Sequence, residues 1–249
     1  MLLNILMLSL EKAHPIEKKS SQQNQLTNQE QSQTVSYTPN TFTLSGNETT
    51  VEMKLPAVDT NKSGVVTTLK ITAKPGTGKT LVDIEGLLFW ADTQQSIRVA
   101  RQVAAETLGI NINNFDLIYS IKAQASIIGG PSAGASLAIA TIAALQGKKP
   151  SDNVMMTGTI NHDGTIGPVS EILEKSKAAK QAGATIILVP LSQGKDVVYD
   201  TSQHCEKYGD TELCTEETRP RRVDVGQEAG IEVIEVSSID EARSYFFGE

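Results

Sequence analysis

Apolar and polar positions repeat with two different periods along this chain, and the places where the period changes mark its elements. Over residues 49–58, TTVEMKLPAV, the apolar residues recur at every second position, which predicts a half-buried strand. The run Asp59-Thr60-Asn61-Lys62-Ser63-Gly64 ends it with turn-forming residues. Residues 65–73, VVTTLKITA, alternate again, and so do residues 81–86, LVDIEG. Pro75-Gly76-Thr77-Gly78 lies between these two strands and predicts a hairpin turn. The period then becomes helical over residues 92–108. Ile97, Ala100, Ala104 and Leu108 fall on one face, Asp92 or Thr93 supplies an N-cap, and Gly109 ends the helix. Residues 116–120 and 124–128 read as strand pieces.

A different pattern fills residues 127–147, IIGGPSAGASLAIATIAALQG. A tight Gly129-Gly130-Pro131 turn opens directly into a helix that is apolar or small nearly all round, which predicts burial on every side. Residues 154–160 form a strand, Asn161-His162-Asp163-Gly164 a turn, and residues 170–182 a helix with charged and small faces. The continuous apolar run ATIILVP, residues 184–190, reads as an interior strand. A short helix is expected at 192–199, a polar and irregular segment at 200–228, a last strand at 231–236 and a last helix at 239–247. Strands and helices mix throughout, so the class is α/β or α+β.

The front of the chain has another character. MLLNILMLSL is apolar, but a spanning helix takes roughly 20 residues. It also lacks the positive region and cleavage site of a complete signal peptide. A start inside a longer signal or anchor and a frayed amphipathic tail both fit it. Residues 20–34, SSQQNQLTNQEQSQT, bury too little to offset ordering entropy and predict a disordered linker. The expected organisation is therefore an apolar start plus linker over residues 1–36 and a domain over residues 37–249, with a cysteine-containing insertion at about 200–228. This arrangement suits an exported or membrane-tethered protein. Cys205 and Cys214 are placed for a disulfide in an oxidising compartment, and sequons stand at Asn47 and Asn61. Together these features point to an extracytoplasmic or membrane-associated location over a cytoplasmic one. The cysteines and His204 fall short of a four-ligand zinc set, so no metal is expected. A net charge of -7, with no basic stripe, argues against a nucleic-acid partner.

Two motifs invite chemistry. The first is GTGKT, residues 76–80, the tail of a phosphate-binding loop. Such a loop needs a glycine where Ala73 stands and a helix immediately afterwards, whose N–H groups hold the phosphates. A strand follows instead, so an ATPase is rejected. The second is Ser132 at a glycine-rich entry into a helix. Unpaired N–H groups and the helix dipole there can hold an oxyanion, and Gly130 and Gly134 permit close approach of a substrate backbone. Taken alone, Ser132 is more simply an N-cap. Of the histidines His14, His162 and His204, only His162 is a plausible partner, and it sits in a turn. A buried lysine can serve as base instead. Moving its pKa from about 10.4 to near 7–8 takes roughly 3 units, about 4 kcal/mol. Lys175, Lys177 and Lys180 all lie among small or apolar neighbours, and composition does not choose among them.

A set of short motifs does choose. Gly130-Pro131-Ser132-Ala133-Gly134 is followed by Met156-Thr157-Gly158, by Gly164 with Gly167-Pro168, by Leu173-Glu174-Lys175 with Ala178-Ala179, and by Gly183-Ala184 leading into ILVP. Over residues 130–190 the chain resembles the proteolytic domain of the Lon family of serine peptidases, with looser agreement from about Val65 to the final helix. The resemblance implies the Lon proteolytic fold, mixed sheets packed with helices, and a stand-alone, archaeal-type protein without the ATPase module. It makes Ser132 the nucleophile and Lys175 the general base, and puts the Thr157 hydroxyl near the lysine amine. Gly130 and Ala133 support the site, with N–H groups of Ser132 and Ala133 on the oxyanion. The activity implied is ATP-independent cleavage of peptides or unfolded protein segments, with no cofactor, by a homo-oligomer such as a hexameric ring. An inactive Lon-like binding or assembly module, and the peptidase subunit of a separate ATPase, are the alternatives. The chain departs from the family pattern at Gly129, where many members carry an acid, at Thr159, commonly Glu, and in the length of residues 200–228.

Overall fold

The computed structural model describes residues 48–83, 91–122 and 130–248. The expected start and linker at 1–36, the strand piece at 124–128, Gly129 and the end of the LVDIEG strand lie outside them. The chain parts into two units, Met1–Thr38 and Pro39–Glu249, and every described residue belongs to the second.

Strands β1 (Thr49–Val58) and β2 (Gly64–Pro75) pair antiparallel from Thr49↔Ala73 to Val58↔Gly64. Their link is fixed by Asp59, whose Oδ1 accepts the N–H groups of Asn61 and Ser63, each at 2.8 Å. Alternation puts Val51, Met53 and Leu55 of β1, and Leu69, Ile71 and Ala73 of β2, on the buried face. Strand β3 (Thr80–Val82) does not pair back onto β2, which corrects the hairpin expected at Pro75-Gly76-Thr77-Gly78. Strand β4 (Phe115–Lys122) lies between them, antiparallel to β2 and parallel to β3, in the order β1-β2-β4-β3. The start of β4 holds the turn. Asp116 Oδ1 accepts N–H bonds from Thr77 and Lys79, both 2.8 Å, and the Gly76 N–H reaches Asn114 O at 2.9 Å. These bonds, that from Lys79 first, hold the Asp116 carboxyl below its usual range. N–H groups that a phosphate would need are thus taken by the protein's own carboxylate.

Helix α1 (Ala91–Leu108) begins one residue earlier than the expected cap, so Asp92 sits in its first turn. Ile97, Ala100 and Ala104 are buried, and Leu108 packs at the margin of the core. Helix α2 (Gly134–Gln146) is buried at every position from Gly134 to Leu145, as its all-round apolar composition requires, and ends at Gly147 with φ 64°. It packs against α1 and against β1 and β2.

The second half begins with β5 (Val154–Met156), β6 (Thr159–Ile160) and β7 (Ile166–Gly167). The single strand expected at 154–160 is broken at Thr157-Gly158, whose backbone bonds turn towards β8 and α2. Helix α3 (Ile172–Gln181) leads into β8 (Ile186–Pro190). Two long strands follow, β9 (Lys195–Tyr208) and β10 (Thr211–Asp224), then α4 (Val225–Ala229), β11 (Glu232–Val236) and α5 (Ile239–Phe247). The apolar run of β8 is the middle strand of a parallel sheet, β11-β8-β5. Its outward-facing side meets α3 through a second apolar cluster that includes Met155, Leu173, Ala179, Ile187 and Val225.

Residues 192–228 differ most from expectation. The short helix at 192–199 is absent: Ser192 has φ 66°, and the Glu235 carboxylate accepts the N–H groups of Ser192 and Gly194, at 2.9 and 2.7 Å. Those bonds take donors that a helix would use and launch the chain into β9. The segment from 200 is not irregular either. It is an antiparallel ribbon whose register runs from Asp224↔Lys195 to Thr211↔Tyr208, turning at Gly209 with φ 64°. Cys205 and Cys214 lie directly opposite one another, joined by a disulfide. Every residue from Tyr199 to Arg222 is exposed, and only the base is anchored, through Val198 and Val223.

Candidate active site

Gly130 is extended, with φ -177°, and Pro131–Ala133 form one turn of 3-10 helix that runs into α2. Ser132 is half-buried on that turn. Proline early in the turn fixes its entry angle without wasting a donor. The turn is sewn to the segment between β5 and β6. Ser132 O accepts the Gly158 N–H at 3.0 Å and the Thr157 hydroxyl at 3.3 Å, and Ala135 N–H reaches Gly158 O at 3.0 Å. One turn further, the Ser136 hydroxyl donates to Met156 O at 2.9 Å. The approach is close enough to demand glycine: a Cβ on Gly134 would lie 2.7 Å from Ile160 Cγ2 and 2.9 Å from Ile160 N. A Cβ on Gly158 would lie 2.5 Å from Ile166 Cγ2.

Thr157 links this turn to the parallel sheet. It is 1% exposed, and its N–H bonds Leu188 O on β8 at 3.1 Å. Its hydroxyl is directed to the Ser132 carbonyl; among the described residues no hydrogen bond joins it to the Lys175 amine. Thr157 therefore fixes the serine's backbone in this structure.

Lys175 lies on α3 and is only 3% exposed. Burial pushes its ammonium down to about 8, and the neighbouring Glu171 carboxylate opposes that shift. Lys177 and Lys180, left level with it by composition, are not buried, and Lys177 pairs with Glu174 at 3.0 Å. The Lys175 Nζ donates to Ser170 O at 2.9 Å. Among the described residues no hydrogen bond joins Lys175 Nζ to Ser132 Oγ. The loop that supplies the Ser170 carbonyl is clamped by Gln193, which bonds both the N–H and the carbonyl of Val169, at 2.9 and 2.7 Å. Glu171 caps α3 in the left-handed region, φ 53° and ψ 40°, without a side-chain capping bond. A non-glycine residue there is strained by roughly 1–2 kcal/mol. The Ser170 hydroxyl bonds its Oε2.

The remaining candidates lie elsewhere. His162 is exposed in the β6–β7 turn and contacts Gln102 at 3.2 Å. Cys205 and Cys214 are on the ribbon, where their disulfide leaves no thiolate for a metal. A cleft of about 670 Å³ opens at the base of the ribbon, between Ser192, Lys195, Asp224 and Glu235, and neither Ser132 nor Lys175 lines it. Sequence reasoning missed Ser136, Ser170 and Glu171. A hydroxyl followed by an acid ahead of a helix carries no signal until the backbone shows the left-handed turn.

Residues 94–208 match the family model described as the Lon protease (S16) C-terminal proteolytic domain. The chain is 31% identical over 171 residues to the Lon protease of Methylocella silvestris, covering 64% of this chain and 21% of that protein. It is 34% identical over 142 residues to the Lon protease of Desulforamulus reducens, covering 55% and 17%. With the Lon protease of Escherichia coli K12 the identity is 30%, covering 55% and 18%. The chain thus spans about one fifth of the length of these relatives. They give the expected archaeal type no support.

Proposed function

We propose that this chain, whose folded part is related to the Lon proteases through their proteolytic domain, is a serine endopeptidase in which Ser132 is the nucleophile and Lys175 the general base. One observation carries the reading: a lysine buried to 3% exposure and lowered to about 8, on the helix preceding β8, the strand that Thr157 joins to the serine's turn. A lysine in that range is neutral in a useful fraction of molecules near neutral pH, so it can accept a proton.

Lys175 has a long, flexible stem and swings from Ser170 O to Ser132 Oγ. Neutral Nζ takes the hydroxyl proton as Oγ attacks a peptide carbonyl carbon. The resulting oxyanion is received by the N–H groups of Ser132 and Ala133, at the positive end of the helical turn. The ammonium returns the proton to the leaving amine, giving an acyl-enzyme. Water attacks the ester, Lys175 again accepts the proton, and Ser132 leaves with it. Thr157 and Gly158 hold the Ser132 carbonyl throughout, so the two N–H groups keep their aim. No nucleotide is consumed in these steps, and the substrates proposed are peptides or already unfolded segments. Assembly as a homo-oligomer, and a membrane connection through the N-terminal segment outside the cytoplasm, belong to the same proposal.

The bond from Lys175 to Ser170 O, in place of one to Ser132, favours a second reading: a module that keeps the fold for binding or assembly without hydrolysis. Labelling by a fluorophosphonate serine probe across roughly pH 6 to 10 separates the two. A peptidase labels with a rate that rises through about pH 8, and Ser132→Ala or Lys175→Ala abolishes it. No labelling in the folded, assembled wild type overturns the peptidase reading.

A further inference from the structure

We propose that Glu171 is a positioning residue that parks the Lys175 amine as an ammonium on the Ser170 carbonyl, so that the site rests switched off. The inference rests on the Ser132/Lys175 reading above. Three observations meet on the Ser170-Glu171 pair. The backbone at Glu171 is left-handed, a conformation that glycine or asparagine would adopt more readily, and the carboxylate makes no capping bond that would explain its presence. The Ser170 hydroxyl tethers that carboxylate through Oε2. The peptide between the same two residues supplies the carbonyl that accepts Lys175 Nζ at 2.9 Å. Ser170-Glu171 therefore addresses the amine twice, by a carbonyl in contact that holds it parked and by a nearby negative charge that favours its protonated form.

Other charges on and around α3 are engaged elsewhere. On α3 itself, Glu174 pairs with Lys177, and Lys180 is exposed. On β1, Lys54 donates to Ala182 O at the far end of the helix, and Glu52 faces Lys70 of β2 across the ladder. On β2, Lys74 lies near Asp116. On α4, Glu228 faces Arg221. Strand β8, IILVP, carries no charge. Of these groups, Glu171 is the one whose charge opposes the effect of burial on the Lys175 ammonium. With its charge gone, burial acts alone and the amine becomes neutral at lower pH.

The test reads Lys175 directly. Side-chain NMR follows its titration in a Ser132→Ala background, with Glu171 intact or changed to Gln, Gly or Asp, and probe labelling is run in parallel with Ser132 present. Glycine suits the left-handed backbone, so the Gly variant keeps the fold, and circular dichroism checks it. The Gln and Gly variants are expected to lower the midpoint by about one pH unit, which is about tenfold more neutral amine below it, and to speed labelling near neutral pH by a similar factor. Aspartate, which keeps the charge on a shorter arm, falls between. A midpoint within about 0.3 unit of wild type in both Gln and Gly variants overturns the proposal. A midpoint that moves while no form labels upholds the hold of Glu171 on Lys175 and removes the peptidase reading. Labelling that needs Ser132 and Lys175, with midpoints unmoved, does the reverse.

Discussion

Helix α2 and strand β9 are nearly the same length, 13 and 14 residues, and they are held in place by opposite means. Helix α2 is buried at every position but its last. It would be marginal alone at this length, so its order comes from surroundings that also fix Ser132 at its entrance. The ribbon of β9 and β10 buries almost nothing beyond its base. Val197, Tyr199, Tyr208 and Leu213 stand in solvent, and a two-stranded ribbon in water is marginal. Backbone bonds and the Cys205–Cys214 link do there what apolar contact does for α2. A change in α2 should therefore be felt by the whole domain and by the site, and a change in the ribbon should stay local.

The sharpest way to break this contrast is a matched pair of truncations. Leu137→Ala removes a fully buried side chain from α2 and should lower unfolding free energy in urea by about 3 kcal/mol, whereas Leu213→Ala on the ribbon should stay within about 0.5 kcal/mol. Equal effects would show that the ribbon is packed against something. Lys175 sharpens the comparison through pH. Its folded value, about 8, lies below its ordinary 10.5, so the unfolded chain holds the proton more tightly. Stability should then rise as pH climbs from about 8 towards 10.5, and Lys175→Met should flatten that rise in pH-dependent melts. No exposed ribbon lysine should give such a slope. Gly134→Ala is next: its Cβ meets the backbone of Ile160, which cannot rotate away, so a loss of about 2 kcal/mol and slower probe labelling are expected. The smallest global effect belongs to the Cys205→Ser/Cys214→Ser double variant. It should change the unfolding free energy in urea by less than about 1 kcal/mol while hydrogen exchange in β9 and β10 speeds up markedly.

The same contrast explains what the sequence disclosed. Strand β1, helix α1 and helix α5 are written in their apolar periods because each has one buried face, and α2 in the loss of any period because it has no exposed one. The ribbon has no buried face above its base, so it carries no alternation, and the segment 200–228 that holds most of it read as irregular. The place of β4 between β2 and β3 depends on pairing with residues some forty positions away, which turn chemistry at Gly76 cannot report. At the candidate site, the motifs that resemble the Lon proteases singled out Ser132, Thr157 and Lys175 for attention, and the burial that sets Lys175 apart from Lys177 and Lys180 was not legible. The bond of Thr157 to Ser132 O, and the left-handed Glu171, needed the backbone to be seen.

The sulfur link has a meaning beyond holding two strands together. Among the described residues, the outer half of the ribbon carries no packing to keep it from fraying. Joining Cys205 to Cys214, directly opposite in register, keeps the tip from opening into two slack single strands. In a reducing medium that protection lapses, and the tip becomes the stretch of the folded chain most open to nicking.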